Sequence, residues 1–139
     1  MKRIKVMLVD DEQDFCKTFQ EDFYDTGQFE VRYANTLQHE MKDIDEYKPD
    51  IIIQDVKMDK ERPSVDGEAF AYKLRKEHPE YNHIPIVILT NVIEAGCVNK
   101  LTEKNESEGI FYLTKLQEST GRIAFIANVL FRWRPNKRA

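Results

Sequence analysis

Lys5-Val6-Met7-Leu8-Val9-Asp10-Asp11 is the stretch on which the reading of this chain turns: a short apolar run that stops on two adjacent carboxylates. Three later runs repeat the pattern. Ile51-Ile52-Ile53-Gln54 stops on Asp55, Ile86-Val87-Ile88-Leu89 on Thr90, and Ile110-Phe111-Tyr112-Leu113-Thr114 on Lys115. Short runs rich in Val and Ile, separated by helix-like segments, predict buried parallel strands of an α/β sheet. In such sheets ligands bind in the crevice outside the carboxyl ends of the strands. Three carboxylates, a hydroxyl and an ammonium, far apart in sequence, are therefore expected to meet in one small site.

Between the runs the chain reads as five repeats of strand then helix. The first strand covers about 3–9, and the helix after it carries Phe15, Phe19 and Phe23 on one face, with Gly27 as its stop. Gln28 to Tyr33 alternates as an edge strand would. Thr36 is placed to cap a second helix running to about Glu46, with Leu37, Met41 and Ile44 inward and Pro49 beyond its end. A third strand, about 50–54, leads into a charged loop from Lys57 to Asp66. Asp66 is placed to cap a third helix that buries Phe70 and Leu74 and stops before Pro79. The fourth strand covers 84–89. Ile93, Cys97 and Leu101 give a fourth helix its period, although Gly96 sits inside it. Thr102 to Glu108 reads as a polar connection to a fifth strand at about 109–113, and the last helix covers about 118–132.

Bulk properties narrow the function. A chain of 139 residues, 41% hydrophobic and 33% charged, is expected to form one globular domain. Its net charge of −4 supplies no basic field for nucleic acid. No apolar run approaches the roughly 20 residues of a membrane span. The opening Met-Lys-Arg-Ile-Lys-Val is broken at once by Asp10, Asp11, Glu12 and Asp14, so it does not read as a signal peptide, and a cytoplasmic protein is expected. Cys16 and Cys97 stand alone and read as buried thiols. His39, His78 and His83 are isolated and read as surface residues.

The convergent residues suit one kind of chemistry. Asp10, Asp11 and Asp55 offer hard oxygen ligands of the type that hold Mg²⁺ with water and phosphate oxygens. A carboxylate also serves as a nucleophile that forms an aspartyl phosphate. The ammonium of Lys115 would neutralise phosphoryl oxygens, and the Thr90 hydroxyl would donate to them. A single Asp after a strand is ordinarily a turn or a helix cap, and one Thr or Lys there carries no information. The signal is the set of five at consistent strand ends.

On Leu8-Val9-Asp10-Asp11-Glu12, Asp55-Val56-Lys57-Met58, Asp66-Gly67, Pro85 through Thr90 and Gly109 through Lys115, the chain resembles the receiver domain of bacterial two-component response regulators. The resemblance runs from Lys2 to about Arg132. It implies a flavodoxin-like, doubly wound (βα)5 fold with a five-stranded parallel sheet in the order 2-1-3-4-5. It implies a receiver domain over 1–134, with 135–139 left as a short basic tail and no output domain. It implies phosphorylation of Asp55 by a histidine kinase or phosphotransfer protein. Mg²⁺ would be bound by Asp11, Asp55 and the Lys57 backbone carbonyl, with Asp10 assisting. Lys115, Thr90 and Tyr112 would form the switch, the Tyr112 ring turning inward as Thr90 moves toward the phosphate. The readout implied is contact with a downstream protein effector through the fourth helix, fifth strand and fifth helix, the same face a homodimer would use, without direct DNA binding.

The chain departs from the family pattern in places. Asp59 follows Met58 where Pro is usual, and the Asp59–Val65 stretch lengthens the loop. Leu116 replaces the Pro that normally follows the lysine. Asn91 stands where a tiny residue is preferred, and with Lys57 is read as hindering water and prolonging phosphorylation. These departures keep open a pseudo-receiver, a phosphate-independent binding scaffold of the same fold. A Mg²⁺-dependent phosphohydrolase of the haloacid dehalogenase type fits less well, because Asp10-Asp11-Glu12 is not its Asp-x-Asp and no cap is present. A flavin-binding domain would want a Gly- or Ser/Thr-rich loop after the first strand. The last helix has two apolar stripes, Ile123, Ile126, Ala127, Leu130 and Phe125, Val129, Trp133; the second is either core at the helix end or a dimer patch. Arg132, Arg134, Lys137 and Arg138 read as solvated charge.

Overall fold

The structure, a computed structural model, describes residues 2–36, 40–56, 67–90, 102–115 and 117–133. Strands β1 (Ile4–Val9), β2 (Phe29–Ala34), β3 (Ile51–Asp55), β4 (Ile86–Thr90) and β5 (Ile110–Thr114) alternate with helices α1 (Gln13–Asp25), α2 (Glu40–Tyr47), α3 (Gly67–Glu77), α4 (helical at 102–105) and α5 (Ser119–Arg132). The strands form one parallel sheet in the order β2-β1-β3-β4-β5. This is the flavodoxin-like order expected, with β2 at an edge.

Alternation along the strands divides the core into two layers, because successive side chains in a strand point to opposite faces. Val6, Leu8, Ile51, Ile53, Val87, Leu89, Phe111 and Leu113 pack with Cys16, Phe19 and Phe23 of α1 and Ile126 and Val129 of α5. Met7, Val9, Ile52, Ile86, Ile88, Ile110 and Tyr112 pack with Ile44 of α2 and Ala71 and Leu74 of α3. In α1 the Phe19 and Phe23 rings stack with centroids 4.2 Å apart, and Phe29 meets Phe23 edge-on at 5.3 Å. Truncating a fully buried ring of this kind to Ala costs about 3–5 kcal/mol.

β1 ends at Val9 as the sequence pattern placed it, and the bounds of β2 to β5 fall one or two residues later than expected. Pro85 cannot donate to the ladder, so β4 begins at Ile86, although the Pro85 carbonyl still accepts from Ile52 N at 3.0 Å. At the other end Asp55 pairs with Leu89 and Thr90 with Thr114. These residues are the last rungs of the ladder, not the first residues of loops. Gly27 ends α1 with φ +80°, its N–H on the Tyr24 carbonyl at 3.0 Å.

Four readings are corrected. The polar run 102–108 is helical at 102–105 and forms a short 3-10 turn at Glu106–Glu108, because the Thr102 hydroxyl holds the Tyr112 backbone N–H at 3.1 Å and Asn105 is buried. The two stripes of α5 merge: Ile126 and Val129, one from each, are buried, Phe125, Leu130 and Trp133 are half-buried beside them, Ala127 is exposed, and the apolar residue left in solvent is Phe131 at 64%. Spacing of i, i+3 places 126 and 129 on one line, which a two-stripe division separates. Arg132 is paired with Glu106 instead of merely solvated. Phe70 is only half-buried, with Ala71 taking the inward place in α3, whereas Met41 packs against the core as expected. Leu37, His39, the stretch from Lys57 to Asp66 including Asp59–Val65, Asn91, Ile93, Gly96, Cys97, Leu101, Leu116 and the tail from Arg134 lie outside the described residues.

Candidate functional site

Asp10 ends β1 fully buried, and its setting is fixed by the backbone around it. Its N–H donates to the Ala34 carbonyl at 3.1 Å, and its own carbonyl accepts from Asn35 Nδ2 at 2.8 Å and from the Cys16 thiol at 3.4 Å. Burial pushes that thiol up to about 12, with the Asp10 charge adding to it, so it stays a protonated donor. The Asp10 carboxylate accepts the Glu12 N–H at 2.9 Å on Oδ1. Burial raises the Asp10 carboxyl above its ordinary range, and the hydrogen bond from Lys115 acts against that rise.

Asp55 reaches the same crevice from β3, 5% exposed. The Val56 N–H on the Leu89 carbonyl and the Gly67 N–H on the Val56 carbonyl, both at 2.9 Å, carry the chain from the strand end to the start of α3. A Cβ at Gly67 would collide with the Asp55 backbone oxygen and the Gln54 side chain, so only glycine lets α3 begin this close to β3. Beneath it, the Gln54 amide nitrogen, oriented toward α2, donates to both oxygens of the buried Glu40 at 3.1 and 2.8 Å. Burial holds the Glu40 carboxyl well above its usual range, with Asp43 adding to the rise.

Lys115 closes the site from the end of β5. Its N–H donates to the Thr90 carbonyl at 2.8 Å, which ties the β5 end to the buried Thr90. Its Nζ lies 2.9 Å from Asp10 Oδ2, 2.9 Å from Glu12 Oε1 and 3.7 Å from Asp55 Oδ2, and 4.8 Å from the centre of the Phe15 ring. Burial by itself lowers the ammonium's pKa; the hydrogen bonds to Asp10 and Glu12 and the charges of Asp10 and Asp55 overcome this and raise it. Lys115 is therefore a permanent cation. Carboxylate oxygens of Asp10, Asp11 and Asp55 lie within 4.8 Å of one another, Asp11 being the exposed member. Three hard anionic donors at that spacing fit Mg²⁺, which takes few carboxylates and completes its shell with water and phosphate oxygens.

The structure thus brings together Asp10, Asp11, Asp55 and Lys115, with Thr90 one backbone bond away. Lys57 is outside the described residues. Tyr112 does not join the carboxylates. It points into the other layer, 1% exposed, its hydroxyl donating to Glu68 Oε2 at 2.5 Å and lying 2.7 Å from the Tyr72 hydroxyl, which in turn donates to Asn105 at 3.2 Å. Burial and the Glu68 contact push the phenol far above its ordinary range. The ring is already inward in this structure. Glu12, Glu68, Tyr72 and Asn105 were missed from sequence; Glu12 lay inside the first motif, and Glu68 follows Asp66-Gly67 directly, so adjacency was the available signal.

A family model, Response regulator receiver domain, matches residues 6–121. Response regulator Rre1 of Synechocystis sp. is 33% identical over 87 residues, 63% of this chain and 36% of that protein, so the chain spans about a third of this curated relative. Among solved structures, the chemotaxis response regulator CheY4 of Vibrio cholerae superposes with a TM-score of 0.73 at 22% identity, covering 92% of this chain and 99% of that one. The Francisella response regulator 1452 receiver domain gives 0.73 at 22% identity, covering 94% and 98%.

Proposed function

The chain belongs to the response regulator receiver domain family, and from that premise we propose that it is a phosphorylation switch whose acceptor is Asp55. The observation that carries this reading is the group of Asp10, Asp11 and Asp55 facing a half-buried, permanently charged Lys115. An Asp55 carboxylate oxygen attacks the phosphorus of a phosphohistidine on a histidine kinase or phosphotransfer protein. The P–N bond breaks, the imidazole leaves with the electron pair and takes up a proton, and an acyl phosphate remains on Asp55. Mg²⁺, held by Asp10, Asp11, Asp55 and the Lys57 carbonyl, would supply charge neutralisation to the phosphoryl oxygens. Lys115 turns its ammonium to the same oxygens, and the Thr90 hydroxyl donates to them from the neighbouring strand end.

The phosphoryl group adds about two negative charges to a crevice bounded by β4 and β5, so its effect passes to Thr90 and Lys115 first. Tyr112, three residues before Lys115 on β5, links that change to α3 and α4 through Glu68, Tyr72 and Asn105. The output is contact with a downstream protein at the α4, β5 and α5 face, from a domain spanning 1–134; receiver domains in general are signalling modules, not turnover enzymes. Intact mass after incubation with acetyl phosphate and Mg²⁺ tests the reading. One phosphoryl group is expected on the wild type and none on Asp55→Asn or without metal. No adduct from either acetyl phosphate or a phosphorylated kinase would make the chain a phosphate-independent scaffold.

A further inference from the structure

The side chain of Glu12 has no part in the chemistry derived so far, yet it makes one of the two shortest contacts of the Lys115 ammonium. Glu12 occupies the N-cap position of α1, with φ −88° and ψ 101°, where a short acidic side chain normally accepts the orphan N–H groups of the first turn. It makes no such cap. Its carboxylate turns across the crevice and accepts from Lys115, 103 residues away in sequence, at 2.9 Å.

The three carboxylates around this ammonium are unequal. Asp10 is fully buried, its backbone and Oδ1 held by Ala34, Asn35 and Glu12. Asp55, at 3.7 Å, is beyond hydrogen-bond reach of Nζ. The Glu12 side chain is 59% exposed against 9% for Lys115, so it is the partner whose release meets least resistance. An ammonium has three donors on a flexible stem; here one is directed at Glu12, while Asp10 Oδ2 faces the charge as an ion pair at 2.9 Å.

Resting on the assignment of Asp55 as the phosphoryl acceptor, we propose that Glu12 is a positioning residue that draws the Lys115 ammonium outward in the unphosphorylated state and sets how readily the site accepts a phosphoryl group. For Lys115 to close the 3.7 Å gap toward Asp55 and bond new phosphoryl oxygens, its outer contact with Glu12 must break. The Glu12 carboxylate then stands beside added negative charge with its cation withdrawn. Both effects oppose the phosphorylated state, and both operate through Lys115.

The test is calorimetric titration of the full chain with beryllofluoride and Mg²⁺, comparing wild type, Glu12→Gln, Lys115→Met and the double variant. The amide keeps the size of Glu12 and its backbone bonds and removes the charge-assisted bond. Glu12→Gln is expected to bind beryllofluoride about three- to tenfold more tightly, the range of an exposed to half-buried ion pair. In the Lys115→Met background the same substitution is expected to change affinity by less than about twofold. Unchanged or weaker binding in Glu12→Gln would overturn the proposal, as would an equal gain with and without Lys115, which would mark a general charge effect. If wild type itself neither binds beryllofluoride nor gains phosphoryl mass, the acceptor assignment fails and this inference with it. Wild-type binding with no Glu12 effect removes only the inference.

Discussion

The two ends of the sheet each hold a cation, and they use it in opposite ways. At the carboxyl end, Lys115 is divided among carboxylates that burial and mutual repulsion make uncomfortable, and one of its bonds reaches a half-exposed partner. At the amino end, the Arg75 guanidinium donates to four backbone carbonyls, those of Glu108 at 2.6 Å, Tyr81 at 3.1 Å, Ile84 at 2.5 Å and Gly109 at 3.2 Å. Those acceptors are neutral and belong to the entries of β4 and β5 and the turns before them. A planar fork saturating fixed carbonyls makes structure. An ammonium shared among anions makes a site that answers when another anion arrives.

The contrast can be broken most forcefully at Arg75. Arg75→Ala removes four donated bonds, with the Tyr81 and Gly109 carbonyls still accepting from the Ile84 and Ile86 N–H groups, and is expected to lower unfolding free energy by about 3 kcal/mol in a denaturant melt. The beryllofluoride affinity of the folded fraction should stay within about twofold, and a large loss would show that the two ends are not independent. At the carboxyl end the signs reverse. Asp10→Asn removes a buried charge whose protonation burial favours, so the fold is expected to gain about 1 kcal/mol at neutral pH. Phosphoryl incorporation with Mg²⁺, followed by intact mass, should fall about tenfold or more. A variant that is less stable and still phosphorylated would remove Asp10 from the site.

The smallest effect sharpens the picture between the two ends. The carboxyl of Glu40 titrates higher in the fold than in the unfolded chain, because burial favours its neutral form. Between the unfolded and folded values the folded chain binds more protons, so stability present at low pH is lost as pH rises through that window. Glu40→Gln keeps a hydrogen-bonding partner for Gln54 and removes the titration. Its thermal midpoint is expected to fall less than that of wild type as pH is raised above the ordinary carboxylate range, and parallel curves would exclude the effect.

How much of this was legible beforehand follows from which interactions are local. The parallel strands and the meeting of Asp10, Asp11, Asp55 and Lys115 were readable because strand pattern and strand-end position depend on neighbouring residues, whereas the strand order came from the resemblance to receiver domains. Arg75 was not, since on α3 it is one more cation at the end of a charged helix, and its acceptors come from three other segments. Glu12 was visible and uninformative, because a glutamate before a helix reads as ordinary surface charge and the side chain instead crosses to Lys115. The partners of Tyr112 were hidden for the same reason: Glu68, Tyr72 and Asn105 reach it only when α3 and α4 lie over β5. The α5 stripes went wrong because periodicity counts apolar residues and says nothing of which one the sheet leaves in solvent.

Trp133, the one tryptophan of the chain, closes the carboxyl end of α5 beside the amino end of the sheet, its indole N–H on the Asn82 carbonyl at 3.3 Å and its ring occupying the space a side chain at Gly109 would need. This gives the molecule a built-in lamp at the end remote from its chemistry. Intrinsic fluorescence is expected to report the loosening of the Arg75 edge, and hence unfolding, more strongly than it reports an anion entering beside Asp55. A weak emission change during a ligand titration is what this placement favours, and it marks where the fluorophore sits, not whether the opposite crevice is occupied.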